Sequence, residues 1–521
     1  AWPDGSRSIQ KNIAANQVIN PQKNKIQTPT EKTSKQTPLI LASNPIPFRH
    51  QESQFIDFDL DRLRFWSISN EGPKAAVGDL NQDGRDDIFL PGAKGQASQL
   101  FYQQPNGSFQ LVLEGLFEQD SLSEDVDALI FDATNDQLPD LLIASGGIEF
   151  GMGNSLYQNR LYINQGNGKF LKSQQLFDPV PSSFILATDI DQDGDLDLVI
   201  GDREQPFAYG IPTGFNTWLN DGKGNFTKAA TSQEFKEGML TSGSLADLDG
   251  DGQLELIIAG EWAPIRIFSI KSGQFYERTE EFGFSQTRGL WNTLLVKDLN
   301  GDGSPDILAG NLGLNTRFKP PTGSKLRMYV NDFDQNGSLD QILCFYDGNR
   351  AMPLVMKNTL LKQIPSLKKQ LTTYAAYQNK SMEELFPAQI LSKSLNLEVD
   401  ILQTSLWIND GNGKFKLQEL PVEVQQAPIY TSLFFQDSKS NNFLVLAGNQ
   451  SRNKPEMGSN LGSYGWLLNH TKNYSWKVSL PEESGLVLPG ESRDLHKIII
   501  NNKPYLIAVR NNDEPILFEI R

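Results

Sequence analysis

The chain has almost no cysteine, few histidines and no long apolar run. Its one cysteine in 521 residues, Cys344, excludes a disulfide framework, so stability must come from packing or metal. Cys344 lies in the apolar run Ile342-Leu343-Cys344-Phe345 and reads as a buried strand thiol. The three histidines, His50, His470 and His496, fall in no catalytic triad or zinc-ligand spacing and read as surface or satisfied strand residues. No stretch of about 18 apolar residues occurs, so no membrane-spanning helix is expected. No phosphate-binding loop or dinucleotide fingerprint follows a strand and opens a helix, and Gly310-Asn311-Leu312-Gly313 reads as a turn. Basic residues are outnumbered: a net charge of -16 argues against nucleic acid as partner, because phosphate binding needs a basic face.

Turn residues are plentiful. Forty-three glycines and 28 prolines suit many short strands joined by tight turns. Residues 1–48 are polar and aperiodic and read as a flexible tail or tether, with a surface-lying arm as the alternative. Residues 49–521 are repetitive. Each unit places an acidic nonapeptide between two apolar strands, as in Ala75-Ala76-Val77-Gly78, Asp79 to Asp87, and Ile88-Phe89-Leu90. The nonapeptide recurs from Asp132, Asp189, Asp247, Asp298 and Asp332, mostly about 50 to 58 residues apart, near a propeller-blade period. A second motif, aromatic-x-Asn-x-Gly-x-Gly-x-Phe, runs over Tyr162–Phe170, Trp218–Phe226 and Trp407–Phe415. Its Asn and Gly residues supply the positive φ of a tight hairpin. Two hairpins per repeat make a four-stranded blade. The expected fold is therefore all-β: a β-propeller of eight blades by unit count. Seven blades result if the closely spaced units at 298 and 332 share one. The segment near Phe55–Leu60 is expected to supply the strand that closes the ring. Helical spacing over about 355–395 predicts a small helical insertion on one face.

The nonapeptides have the composition of a hard-cation site. In Asp189, Asp191, Asp193 and Asp197, side-chain oxygens stand at positions 1, 3, 5 and 9. Glycine at position 6 permits a sharp turn, and the position 7 carbonyl, here of Asp195, adds an oxygen. Oxygen-only ligands in a flexible loop select Ca²⁺ over zinc or copper. The other sets are Asp79, Asn81, Asp83, Arg85 and Asp87; Asp247, Asp249, Asp251, Gln253 and Glu255; Asp298, Asn300, Asp302, Ser304 and Asp306; and Asp332, Asp334, Asn336, Ser338 and Asp340. Arg85, Gln253, Ser304 and Ser338 would contribute through their backbone carbonyls. The set Asp132, Thr134, Asp136 and Asp140 is weaker, with Gln137 where glycine is expected. A seventh aligned stretch, Phe435 to Phe443, lacks acids at positions 1, 5 and 9 and predicts no metal. An EF-hand would need a bidentate Glu at position 12. That position holds Leu90, Ile143, Ile200, Ile258, Ala309 and Leu343, so the loops join strands. The six loops hold 22 acids, and without those acids the net charge of -16 would be +6. Such clustered charge calls for cations, five or six Ca²⁺ by this reading, whose binding would stabilise the fold.

These residues resemble the FG-GAP/VCBS repeat family, and more narrowly the bacterial VCBS-repeat proteins related to cartilage acidic protein 1. The narrower resemblance is carried by Gly72-Pro73, Glu124–Leu129, Gly260–Arg266, Thr287–Asn292, Ala309–Arg317 and Arg510–Asp513. It implies an extracytoplasmic protein at the outer membrane or cell surface of a Gram-negative bacterium, often lipid-anchored. It also implies a TonB-dependent receptor and its surface lipoprotein as protein partners. The polar tail suits such a tether, although no lipidation cysteine is present. The expected role is protein binding or scaffolding, not catalysis. The alternative is a glycan-binding propeller or calcium-dependent polysaccharide lyase, with Trp262, Arg266, Arg288 and Trp291 as candidate groove residues.

Overall fold

In the computed structural model the described residues are 37–112, 115–230, 233–235, 238–318, 325–470 and 475–521. Most of the expected tail, residues 1–36, lies outside them. Eight antiparallel sheets are present among these residues, and seven form a ring. The first blade is Ala76–Gly78, Asp87–Leu90, Gln99–Gln103 and Phe109–Val112. The second runs from Asp125–Phe131 to Phe170–Lys172, the third from Ser182–Thr188 to Phe226–Lys228, and the fourth from Met239–Ala246 to Gln274–Glu277. The fifth joins Thr293–Lys297 and Asp306–Gly310 to Ser405–Asn409 and Phe415–Gln418. The sixth runs from Ile429–Gln436 to Trp476–Ser479. The seventh takes Glu491–Ile500, Lys503–Asn511 and Ile516–Ile520 from the end of the chain and Leu39–Leu41 from its beginning. From the first blade to the seventh, the first strand of each packs beside the first strand of the next, and at the closing junction Ile498 and Ile500 share a core with Ala75 and Ile88.

Closure differs from the expectation in its strand. Leu39 pairs with Ile520 and Leu41 with Phe518, so residues assigned to the tail complete the last blade. The segment expected to do so instead forms a short helix, Asp57–Leu60. Its polar carboxylates serve it better inside a hydrogen-bonded turn than on a strand: Asp57 accepts from the backbone N–H groups of Ile68 at 2.7 Å and Ser69 at 3.2 Å.

The unit at 332 is off the ring. Its sheet, ordered Arg350–Pro353, Asp340–Asp347, Leu326–Asn331 and Leu395–Val399, is inserted between the second and third strands of the fifth blade. The helices Lys357–Gln363, Tyr374–Tyr377, Met382–Leu385 and Ala388–Leu391 belong to the same insertion. Eight sheets thus make seven blades and one appended layer. Cys344 is buried in this layer, and burial pushes its thiol well up.

Antiparallel order gives the ring two unlike faces. Acid loops join first to second strands, and hairpins join third to fourth, so both emerge on one face. Connections from second to third strands emerge on the other, and the insertion with them. Residues 49–72 cross this second face and touch a second-to-third connection or its flank in nearly every blade. Gln51 N–H donates to Gln96 at 2.8 Å, Ser53 to Glu149 at 2.7 Å, and Trp66 Nε1 to Glu261 at 3.3 Å. Arg64 pairs with Glu204, Lys454 N–H donates to the Phe65 carbonyl at 2.9 Å, and Asn511 donates to the Asn70 carbonyl at 3.1 Å. Leu63, Phe65 and Ile68 share one apolar core with the insertion. The segment is a plug over the axial mouth. Among the described residues no helix is long and apolar enough to cross a membrane.

Candidate metal centres

Five of the six acid loops stand on the hairpin face of the ring. The sixth, Asp332 to Asp340, belongs to the inserted layer. All six have the same backbone. The position 1 carboxylate folds the loop around itself: Asp189 accepts from Asp193 N–H at 3.2 Å and Gly194 N–H at 3.1 Å. Asp79, Asp132, Asp298 and Asp332 accept from positions 5 and 6 in the same way, and Asp247 from Gly250 and Gly252. The position 5 oxygen then takes the position 7 N–H, as in Asp83 to Arg85, Asp136 to Leu138, Asp193 to Asp195, Asp251 to Gln253, Asp302 to Ser304 and Asn336 to Ser338.

Position 6 is left-handed, with Gly194 at φ +99° and Gly303 at φ +93°. In the second blade Gln137 adopts φ +69° there, a conformation that costs a side-chain-bearing residue about 1–3 kcal/mol. The weaker loop therefore keeps the shape without the glycine. Position 4 is left-handed too, at Gln82, Asn135, Gln192, Gly250, Gly301 and Gln335, a requirement the composition of that position does not announce.

Position 9 has a structural role beside the ligand role its spacing suggests. Asp197 is buried and spans two elements, accepting from Ile190 N–H at 2.9 Å and from Asn220 N–H on the third strand at 2.8 Å. Asp87, Asp140 and Asp306 do the same with Leu80 and Gln103, Ala133 and Asn164, and Leu299 and Asn409. Burial first, opposed by these hydrogen bonds and reinforced by the acids of the same loop, pushes the carboxyls of Asp87 and Glu255 up to about 7 and those of Asp140, Asp306 and Asp340 to about 6. A nearby cation reverses that repulsion.

A third-strand residue whose reach the sequence did not show fastens one loop to the next in four blades. Asn220 Nδ2 donates to the Leu196 carbonyl of its own loop at 3.2 Å and to the Ala133 carbonyl of the preceding blade's loop at 2.9 Å. Asn164 reaches Pro139 and Leu80, and Asn409 reaches Pro305 and Leu248. Gln103 performs the task in the first blade, reaching Asp86 and, across the ring closure, Ile499. The aromatic-x-Asn motif thus staples one blade to the next.

In three loops carboxylate oxygens from three residues lie within 4.8 Å of one another: Asp189, Asp191 and Asp197; Asp247, Asp249 and Asp251; and Asp332, Asp334 and Asp340. Such oxygen-only convergence fits a hard divalent cation. In the first and fifth blades position 3 is Asn81 or Asn300, whose side-chain oxygen accepts from Asp83 N–H at 3.0 Å or Asp302 N–H at 2.8 Å. Two loops also meet a cation of the protein's own. Arg278 Nη1 donates to Asp249 at 2.8 Å and Glu255 at 3.4 Å, and Arg85 folds back on Asp83. The contrasting Asp437 turn is complete by itself: Asp437 accepts from Lys439 and Asn441 N–H groups at 2.8 Å.

The proposed groove residues are not brought together as a groove. Trp262 and Trp291 are fully buried, donating to the Tyr209 hydroxyl and the Thr287 carbonyl at 2.9 Å. Arg266 pairs with Glu277, and Arg288 with Asp400. His50 is buried, and desolvation lowers its imidazole to about 3; His496 contacts Asp494 at 2.7 Å.

A family model described as FG-GAP-like repeat matches residues 132–200, 189–258 and 247–309. Each match runs from one acid loop through the strand that follows the next. Residues 132–309 therefore match FG-GAP-like repeats. No curated protein matches the sequence. Similar solved structures include the crystal structures of BBS1N in complex with ARL6DN soaked with lead and soaked with mercury. Each is 10% identical, with a TM-score of 0.43, over 93% of this chain and 97% and 98% of the other, respectively.

Proposed function

We propose that this chain is a calcium-stabilised propeller that acts as a protein-binding scaffold outside the cytoplasm, at an outer membrane beside a TonB-dependent receptor and its surface lipoprotein. The observation that carries the calcium part is the convergence of carboxylate oxygens in repeated loops of one backbone. Asp189, Asp191, Asp193, Asp197 and the Asp195 carbonyl would hold one ion, with equivalent sets in the other loops. A bound ion would neutralise these carboxylates and hold the connection between first and second strands. The seven-bladed ring with FG-GAP-like repeats supports the scaffold role. The relation to proteins like cartilage acidic protein 1, and with it the membrane setting, rests on the sequence segments quoted above. The glycan reading loses its support with the burial of Trp262 and Trp291.

The test is affinity purification of the tagged chain from its native membrane, with calcium and with chelator. Recovery of one stoichiometric receptor in calcium supports the scaffold. Absence of any stoichiometric protein, with binding on a glycan array or release of lyase products, overturns it.

A further inference from the structure

The leading end of the plug rests on buried acid. Glu52, from the plug, and Glu124 and Glu149, from the two ends of the second blade's first hairpin, are clustered on the second face, and Glu52 and Glu124 are fully or almost fully buried. Each has one satisfied oxygen. Asn70 Nδ2 donates to Glu52 at 3.1 Å, Lys94 N–H to Glu124 at 2.7 Å, and the Ser53 hydroxyl to Glu149 at 2.7 Å. The other oxygen of each, Oε1 of Glu52, Oε1 of Glu124 and Oε2 of Glu149, is buried without a hydrogen-bond partner among the described residues.

The surrounding charges do not neutralise the cluster. Lys94, from the first blade, lies 3.8 Å from Glu149 and is spread over the Phe150 ring at 4.5 Å. Arg452, from the sixth blade, gives Nη1 to the Ser53 carbonyl, and Arg493, from the seventh, pairs with Glu491. His50, on the plug, is held neutral by burial. Asp125 pairs with Arg160, and Asp57 with Arg64 at 3.6 Å. The cluster also differs from the loops: its oxygens are not among those that converge within 4.8 Å across three residues.

We propose that Glu52, Glu124 and Glu149 form a proton-holding latch that fastens residues 50–56 of the plug when protonated and releases them when ionised. Protonation would remove the charge that the three bare, buried oxygens leave uncompensated. Ionised, three carboxylates in one dry site repel. Burial first, then mutual repulsion with Glu149, raises Glu52 to about 7 against the lowering by Asn70 and the arginines. Burial, then Glu52 and Glu149, raises Glu124 well above the usual carboxyl range. A carboxyl raised in the folded state contributes stability below its unfolded value and loses it as pH rises through the folded value. The latch is therefore closed in mild acid and opens above neutrality. The assignment does not depend on the acid loops or on the partner.

Hydrogen exchange of the full chain, in saturating calcium and corrected for intrinsic rates, tests it at about pH 5.5 and about pH 8.5. Protection of residues 50–56, relative to the second-blade strands, is expected to fall by about tenfold or more, as for about one pH unit of proton linkage. Glu124→Gln, and independently Glu52→Gln, should keep the segment protected at the higher pH. Equal protection of the unaltered chain at both pH values overturns the latch. Loss of protection in both variants at both pH values, with the strands intact, also overturns it, because the carboxylates would then be needed as anions.

Discussion

Within one acid loop, two aspartates of identical spacing class do separable work. Asp191 accepts a long bond from Asp193 N–H at 3.3 Å within the loop, whereas Asp197 joins the loop to the third strand. Asp191→Ala is expected to weaken calcium binding while leaving the melt in chelator within about 0.5 kcal/mol, as for an exposed substitution. Asp197→Ala should lower stability with or without calcium, because two buried N–H donors lose their acceptor at about 1–3 kcal/mol each. Calorimetric titration and denaturant midpoints distinguish the two. Asn220→Ala should cost about 2–3 kcal/mol in both conditions by leaving the Ala133 and Leu196 carbonyls bare, read from the urea midpoint. The ligand spacing was legible because it is local and repeats. The staple was not: Asn220 looks like a hairpin residue, and its partner Ala133 is 87 residues away on another blade.

Elements modify that repeated plan. The hairpin end at Arg278 carries a guanidinium into the fourth-blade loop, stacked 4.7 Å from the Phe282 ring. It occupies charge that a divalent ion would otherwise receive. Arg278→Gln is expected to raise calcium affinity at this loop about tenfold, equivalent to about 1.4 kcal/mol, measured by titration against the unaltered chain. The plug is a second element whose stability rests on paired charge. Arg64 is fully buried among Asp57, Asp61 and Glu204, and Asp61 also receives Gln341 from the insertion. Arg64→Met should cost about 3–5 kcal/mol, because it leaves buried carboxylates uncompensated, and should show as a lowered unfolding midpoint. Neither element was legible. Arg278 lies 23 residues beyond Glu255 with no motif between them. The plug reads as an irregular polar stretch because its order comes from contacts with distant blades.

At the scale of the whole molecule, local repetition overcounts blades. The 332 loop has oxygen-bearing residues at the same positions, the same turn and similar flanking strands as the ring loops, so its period looks like a blade. Its sheet is nested inside the fifth blade because Leu326–Asn331 pairs with Leu395–Val399 on one side and Asp340–Asp347 on the other, while Asp306–Gly310 waits for Ser405–Asn409. The short interval before Asp332 was the one sequence sign of this. Closure by Leu39–Leu41 was hidden for the same reason: a three-residue strand has no period of its own. The acid imbalance, in contrast, was visible from composition and is placed by the fold mostly on one face. Ion binding to folded chain alone stabilises by about 2.7 kcal/mol per site at a hundredfold excess over Kd. Melting of the full chain by calorimetry, in calcium and in chelator, therefore tests the account most directly. It predicts a Tm several degrees lower in chelator and restored by added calcium; the same Tm in both would contradict it.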